Sequence, residues 1–156
     1  MTIYLVRHAH AGSRSQWDGA DAERPLSAKG RGQADALRAR FADVPVGRVL
    51  SSRAVRCQQT VGPLARTHGL DVEVDEALTE GASATATTTL VWELAAAGTD
   101  AVLSSHGDVI PSTLWALAGD GVAVDDSHGL PKGTYYELAV TPDGAITQAT
   151  FVDPRP

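Results

Sequence analysis

Arg7 and His8 stand side by side at the end of the run Thr2-Ile3-Tyr4-Leu5-Val6. A cation beside an imidazole is costly to bury without a purpose. Three further segments carry groups of related chemistry: Ser51 to Arg56, Glu80, and Ser105-His106-Gly107. Together they supply what phosphoryl transfer asks for: a nucleophile, cations around the non-bridging oxygens, and a proton for the leaving oxygen. A neutral His8 imidazole can attack phosphorus through one nitrogen while a hydrogen bond fixes the other. Arg7 and Arg56 offer planar forks that bind a phosphate bidentately, as lysine does not. His106 adds a donor, and Glu80 is the carboxyl suited to protonate the departing group. This chemistry requires no metal and no cofactor.

The elements that must position these groups alternate. The first apolar run is nearly continuous, as in a strand buried on both faces. A polar loop comes next over residues 11–25, longer than most loops, which points to function. Ser27 is a helix cap, with Ala34, Leu37 and Phe41 on one face and the firm part of the helix over 31–42. A short strand, Val46 to Leu50, leads to a helix over 54–68 in which Pro63 predicts a kink or a break. Val72 and Val74 mark a weak strand, Thr87 to Ala97 a helix, Asp100 to Ser104 a strand, and 108–118 a helix. Residues 119–132 read as irregular. Tyr135–Val140 and Ile146–Phe151 flank Pro142-Asp143-Gly144 and close the chain as a hairpin. The order argues a three-layer α/β/α sandwich with a mostly parallel central sheet, one domain over 1–156. Ligands of such sheets bind beyond the carboxyl ends of the strands, where every one of these polar clusters falls.

Bulk properties narrow the partners. A chain of 156 residues, 43% hydrophobic and 21% charged, has the composition of a globular domain. A formal charge of −6 argues against nucleic acid. No segment has the length of a membrane span, the first apolar run lacks a basic leader, and Cys57 is alone, so the expected compartment is the cytoplasm. Arg7, Arg14, Arg24, Arg53 and Arg56 nonetheless lie near strand ends, which makes a local positive pocket for a small or local anion. Expected partners are therefore a phosphorylated small molecule or a phosphorylated protein side chain.

Arg7-His8-Ala9, Ser51-Ser52 with Arg56 and Thr60, Leu78-Thr79-Glu80, and Ser104-Ser105-His106-Gly107 resemble, in that order, the motifs of the histidine phosphatase (phosphoglycerate mutase-like) superfamily. The resemblance implies that His8 is the phosphorylated residue. It implies that Arg7, Arg56 and His106 complete the phosphate pocket and that Glu80 donates the proton. Ala9 and Arg24-Pro25-Leu26-Ser27 resemble the compact bacterial branch of small phosphohistidine phosphatases. Arg53 stands where the family commonly has proline and competes for the role of Arg56. Ser13, Arg53 and Gly107 are further candidates for substrate binding. The expected activity is a metal-independent phosphatase acting on phosphomonoesters or phosphohistidine. Its rivals are a mutase and a non-catalytic phosphate-binding module. His10 forms a His-x-His with His8, a pattern of some metal hydrolases, and is a candidate for the pocket wall. His128 is read as a surface residue, His68 as a helix C-terminal residue favoured by the dipole, Trp17 as a loop anchor, and Trp92, Trp115 and Cys57 as core.

Overall fold

The computed structural model describes residues 1–155. In chain order the elements are β1 (Thr2–Arg7), α1 (Ala28–Arg40), β2 (Arg48–Ser51), α2 (Val55–Thr67), β3 (Val72–Val74), α3 (Ala84–Ala97), β4 (Ala101–Ser105), α4 (Val109–Gly119), β5 (Ala123–Val124), β6 (Tyr135–Val140) and β7 (Ile146–Val152). Short 3-10 turns cover Arg14–Gln16, Asp21–Glu23 and Glu76–Leu78. The strands form one sheet in the order β3-β2-β4-β1-β6-β7-β5. Strands β1, β2, β3 and β4 run parallel, β6 is antiparallel to both β1 and β7, and β5 is parallel to β7.

Alternation along β1 splits the core in two. Tyr4 and Val6 pack with Leu37 and Phe41 at α1 and Val61 and Leu64 of α2. Ile3 and Leu5 pack with Val91 and Leu94 of α3 and Ile110, Leu114 and Leu117 of α4. The sheet is thus covered on both faces, which explains why β1 reads as an unbroken apolar run. The chain leaves β1 toward the α1 and α2 face and leaves β4 toward the α4 face. Adjacent β1 and β4 therefore form the switch point of the sheet, where a crevice opens at the carboxyl ends.

Several expectations need correction. Helix α1 starts from the expected cap, Ser27, whose Oγ accepts the Gly30 N–H at 3.1 Å, and its regular part begins at Ala28, before the expected 31. Gly30, in the first turn, is required there: a β-carbon would stand 1.9 Å from the His10 carbonyl oxygen. Helix α2 runs through Pro63 as one element, without the break that was a possible outcome. Helix α3 starts a turn early at Ala84, where Ser83 Oγ accepts the Ala86 N–H. The stretch 119–132 contains the two-residue strand β5, held by β7 at the sheet edge. Trp115 is 82% exposed, not core, because Ile110, Leu114 and Leu117 take the inward face of α4 and leave it on the other side.

Candidate active site

His8 and His106 meet because their strands are neighbours in register. Arg7 of β1 pairs with Ser105 of β4, and the His8 N–H donates to the Ser105 carbonyl at 3.0 Å. Each imidazole lies one residue beyond that pair, and the ring centroids are 5.5 Å apart at 65°. On the far side of β4, the Ser52 N–H donates to the Ser104 carbonyl, which brings the start of α2 and Arg56 to the same rim. Thr60 Oγ1 of α2 accepts the Ala9 N–H at 2.9 Å and donates to the Arg56 carbonyl at 2.7 Å. The loop after β1 is thereby locked to the helix that carries Arg56.

These elements enclose a cleft of 320 Å³ lined by Arg7, His8, Gly12, Arg14, Arg24, Arg56, Glu80, His106, Gly107, Asp108 and Lys132. His8 Nδ1 lies 2.8 Å from the Ala9 carbonyl, which can only accept. The proton therefore sits on Nδ1 and the lone pair on Nε2. Burial lowers the His8 pKa to about 3; the Ala9 carbonyl opposes this, and Arg56, His106 and Arg7 push the same way as burial. His106 falls to about 4, again from burial first and then Arg56. Its Nε2 sits 2.8 Å from Ser52 Oγ. Both imidazoles are neutral near pH 7, and a neutral imidazole is the nucleophilic form.

The arginines differ in how they are held. Arg7 Nη1 donates to the Leu130 carbonyl at 2.7 Å. Arg56, 1% exposed, donates from Nη1 to the Asp21 carbonyl at 2.9 Å and pairs through Nη2 with Asp21 at 3.1 Å and Glu80 at 3.3 Å. Among the described residues the Nε groups of Arg7 and Arg56 are buried without a hydrogen-bond partner. Two unsatisfied cationic N–H donors beside a neutral imidazole suit a tetrahedral oxyanion. Gly107 makes the arrangement possible, since a side chain there would collide with the Arg7 guanidinium.

Asp21 is a residue the sequence reading missed. Its Oδ1 lies 3.1 Å from Nε of both Arg14 and Arg24, and its Oδ2 is the partner of Arg56. Partial burial raises its pKa, but Arg24, Arg56 and Arg14 outweigh that and the net shift is downward. Arg24, 7% exposed, also donates to the Ala11 carbonyl at 2.8 Å and so anchors the loop over 11–25. Glu80 accepts from Arg14 at 2.9 Å. Asp108 accepts the Gly81 N–H at 2.9 Å and is a second carboxyl in the cleft. Asp21 stands behind the arginines of the cleft and Lys132 lines it, each from a loop whose path the sequence does not reveal; Asp108 sits two residues after His106, at the start of α4.

Other candidates stand apart. Ser13 does not line the cleft; its hydroxyl lies 2.7 Å from that of Ser15 on the exposed loop. Arg53 is exposed and lines a neighbouring depression with Asp21, Ser52 and Arg56, so Arg56 alone holds the inner position. His10 turns away to Ser27 Oγ at 2.7 Å and is no part of the cleft wall. His128 stacks on Phe151 at 4.6 Å. His68 caps α2 and lies 2.8 Å from the Phe41 carbonyl. Cys57 is buried, with its thiol pushed up to about 12 by burial. A wider groove of 530 Å³ runs between α1 and α2, lined by Arg31, Gln59 and Pro63 among others, and holds none of the candidate residues. No group of three or more His, Cys, Asp or Glu suited to a metal occurs among the described residues, and no helix there is long and apolar enough to cross a membrane.

The sequence profile of the histidine phosphatase superfamily (branch 1) matches residues 3–93. The chain belongs to the histidine phosphatase superfamily. An 8-oxo-(d)GTP phosphatase of Mycolicibacterium smegmatis is 31% identical over 156 residues, which cover 98% of this chain and 48% of that protein. The chain thus spans about half the length of that curated relative. Among solved structures, a mycobacterial glucosyl-3-phosphoglycerate phosphatase in complex with VO3 superposes with a TM-score of 0.73 at 18% identity, covering 96% of each chain. The protein histidine phosphatase SixA complexed with tungstate gives a TM-score of 0.67 at 23% identity, covering 97% of this chain and 94% of the other. These likenesses establish the phosphoglycerate mutase-like fold.

Proposed function

We propose that this chain is a phosphatase that works through a covalent phosphohistidine on His8, without a metal. The observation that carries the reading is the pairing of a neutral His8, its Nε2 lone pair free, with two buried arginine N–H donors in one cleft. In the first step Nε2 of His8 bonds to phosphorus as the bond to the leaving oxygen breaks. Arg7, Arg56 and His106 hold the non-bridging oxygens, and charge building on them is met by donors already in place. Glu80 supplies the proton to the leaving oxygen. Water then attacks phospho-His8, releases inorganic phosphate and restores the imidazole.

The substrate is a phosphorylated small molecule or a phosphorylated protein side chain. Relatives named for phosphohistidine, phosphoglycerate and nucleotide substrates support a phosphate-bearing substrate of this kind. The test is to trap the phosphoenzyme with an aryl phosphate. An acid-labile, base-stable phosphoryl group on His8 is expected, lost with turnover in His8→Ala. Turnover should persist in chelator and yield to vanadate, a mimic of the pentavalent transition state. Full activity in His8→Ala ends this reading.

A further inference from the structure

Lys132 is a cation of the cleft that the phosphohistidine chemistry leaves unused and, unlike Arg14 and Arg24, it has no carboxylate partner among the described residues. It lines the cleft with Arg7, His8 and Arg56, and it is half-buried. Its neighbours in the cleft are spoken for: Arg14 and Arg24 by Asp21, Arg56 by Asp21 and Glu80, Arg7 by the Leu130 carbonyl. No carboxylate among the described residues lies within 4.0 Å of Lys132. Burial first, and then the positive charges of Arg7, Arg24, Arg56 and Lys29, favour its neutral form. A lysine held in that company is stabilised by an anion, and one phosphoryl group already has Arg7, Arg56 and His106.

We infer that Lys132 forms a second anion subsite, and that the cleft takes substrates whose scissile phosphoryl group is joined to another phosphoryl group. This rests on the phosphatase reading of the same site. His8 Nε2 bonds to the terminal phosphorus while the bridging P–O bond breaks. The leaving phosphoryl oxygen keeps the bonding pair, with its charge opposed by Lys132, and water later splits the P–N bond to give orthophosphate. Such a leaving group needs less help from an acid than an alcohol does. That accords with a Glu80 whose oxygens are already shared by Arg14 and Arg56.

Binding calorimetry with two probes that are not hydrolysed, methylphosphonate and methylenediphosphonate, tests the subsite apart from turnover. The wild type should prefer the diphosphonate, and Lys132→Met should lower that preference about tenfold or more, the loss of a charge-assisted contact. Lys132→Arg should keep it within about threefold, which separates lost charge from disturbed folding. Lys29→Met removes a nearby charge outside the cleft and should leave the preference as it is. An unchanged preference in Lys132→Met, or an equal drop in Lys29→Met, overturns the subsite. Failure to trap phospho-His8 would instead overturn the phosphatase reading and leave this comparison readable.

Discussion

A β-carbon on Gly107 would stand 2.8 Å from Cζ of Arg7 and 2.9 Å from its Nε and Nη2. The glycine that opens the turn after β4 is therefore the floor on which the arginine of β1 lies. The clash falls on the end of a side chain, so the fold can absorb it by moving the guanidinium. Gly107→Ala should lower kcat/KM on an aryl phosphate by about tenfold or more through a displaced phosphate contact. Its melting temperature should stay within a few degrees of the parent. Steady-state kinetics alongside calorimetry checks both halves, and a normal kcat/KM would refute the positioning role.

The buried imidazoles set the response to acid. Unfolded histidines take up protons near pH 6.5, whereas folded His8 and His106 do so only at about 3 and about 4. Below pH 6.5 the unfolded chain binds more protons than the native one, so stability is full above 6.5 and falls as the pH drops toward 4. Urea midpoints measured across that window should decline, and His8→Asn should soften the decline. His8, the proposed nucleophile, stays neutral over most of that window, so kcat/KM should show no acid limb centred at 6.5.

The proton donation proposed for Glu80 predicts a dependence on the leaving group. Glu80→Gln should cost about 10²–10⁴-fold in kcat for an alkyl phosphate, the range of general acid catalysis. A nitrophenyl leaving group needs little protonation and should lose far less. Asp108→Asn is the informative comparison, because Asp108 is the other carboxyl in the cleft. A steeper leaving-group dependence in that variant would transfer the role to Asp108.

Asp21 gathers Arg14, Arg24 and Arg56 around one carboxylate. Asp21→Asn should leave those arginines to repel one another and loosen both Arg56 and the loop over 11–25. A rise of several-fold in KM for an aryl phosphate is expected, together with faster proteolysis of that loop. Unchanged KM would mean that the Asp21 carbonyl and Glu80 contacts are enough to hold Arg56.

Much of the fold and the cleft was legible because it is local. Strand β1 announces itself by β-branched and apolar residues, and the residues just past a buried parallel strand fall at the ligand edge. Arg7, His8 and His106 were therefore readable from position, and Arg56 and Glu80 from the motifs they accompany. Asp21 and Lys132 were not, since each sits on a loop whose path is set by tertiary contacts, Arg24 to Ala11 within the first loop and Arg7 to Leu130 across the chain. Ser13 shows the reverse: a polar residue in the right loop, on the wrong side of it. Trp115 was misplaced by hydrophobicity alone, against a helical spacing that favours Ile110, Leu114 and Leu117 inside.

The register of β1 against β4 carries a last consequence. Neighbouring positions of a strand look to opposite faces, so sliding one strand by a single residue would send the imidazole of position 8 away from its counterpart. The two imidazoles come together only when the sheet has zipped correctly, and no misaligned intermediate can hold them. For the chemistry proposed, competence is in this sense a readout of folding fidelity.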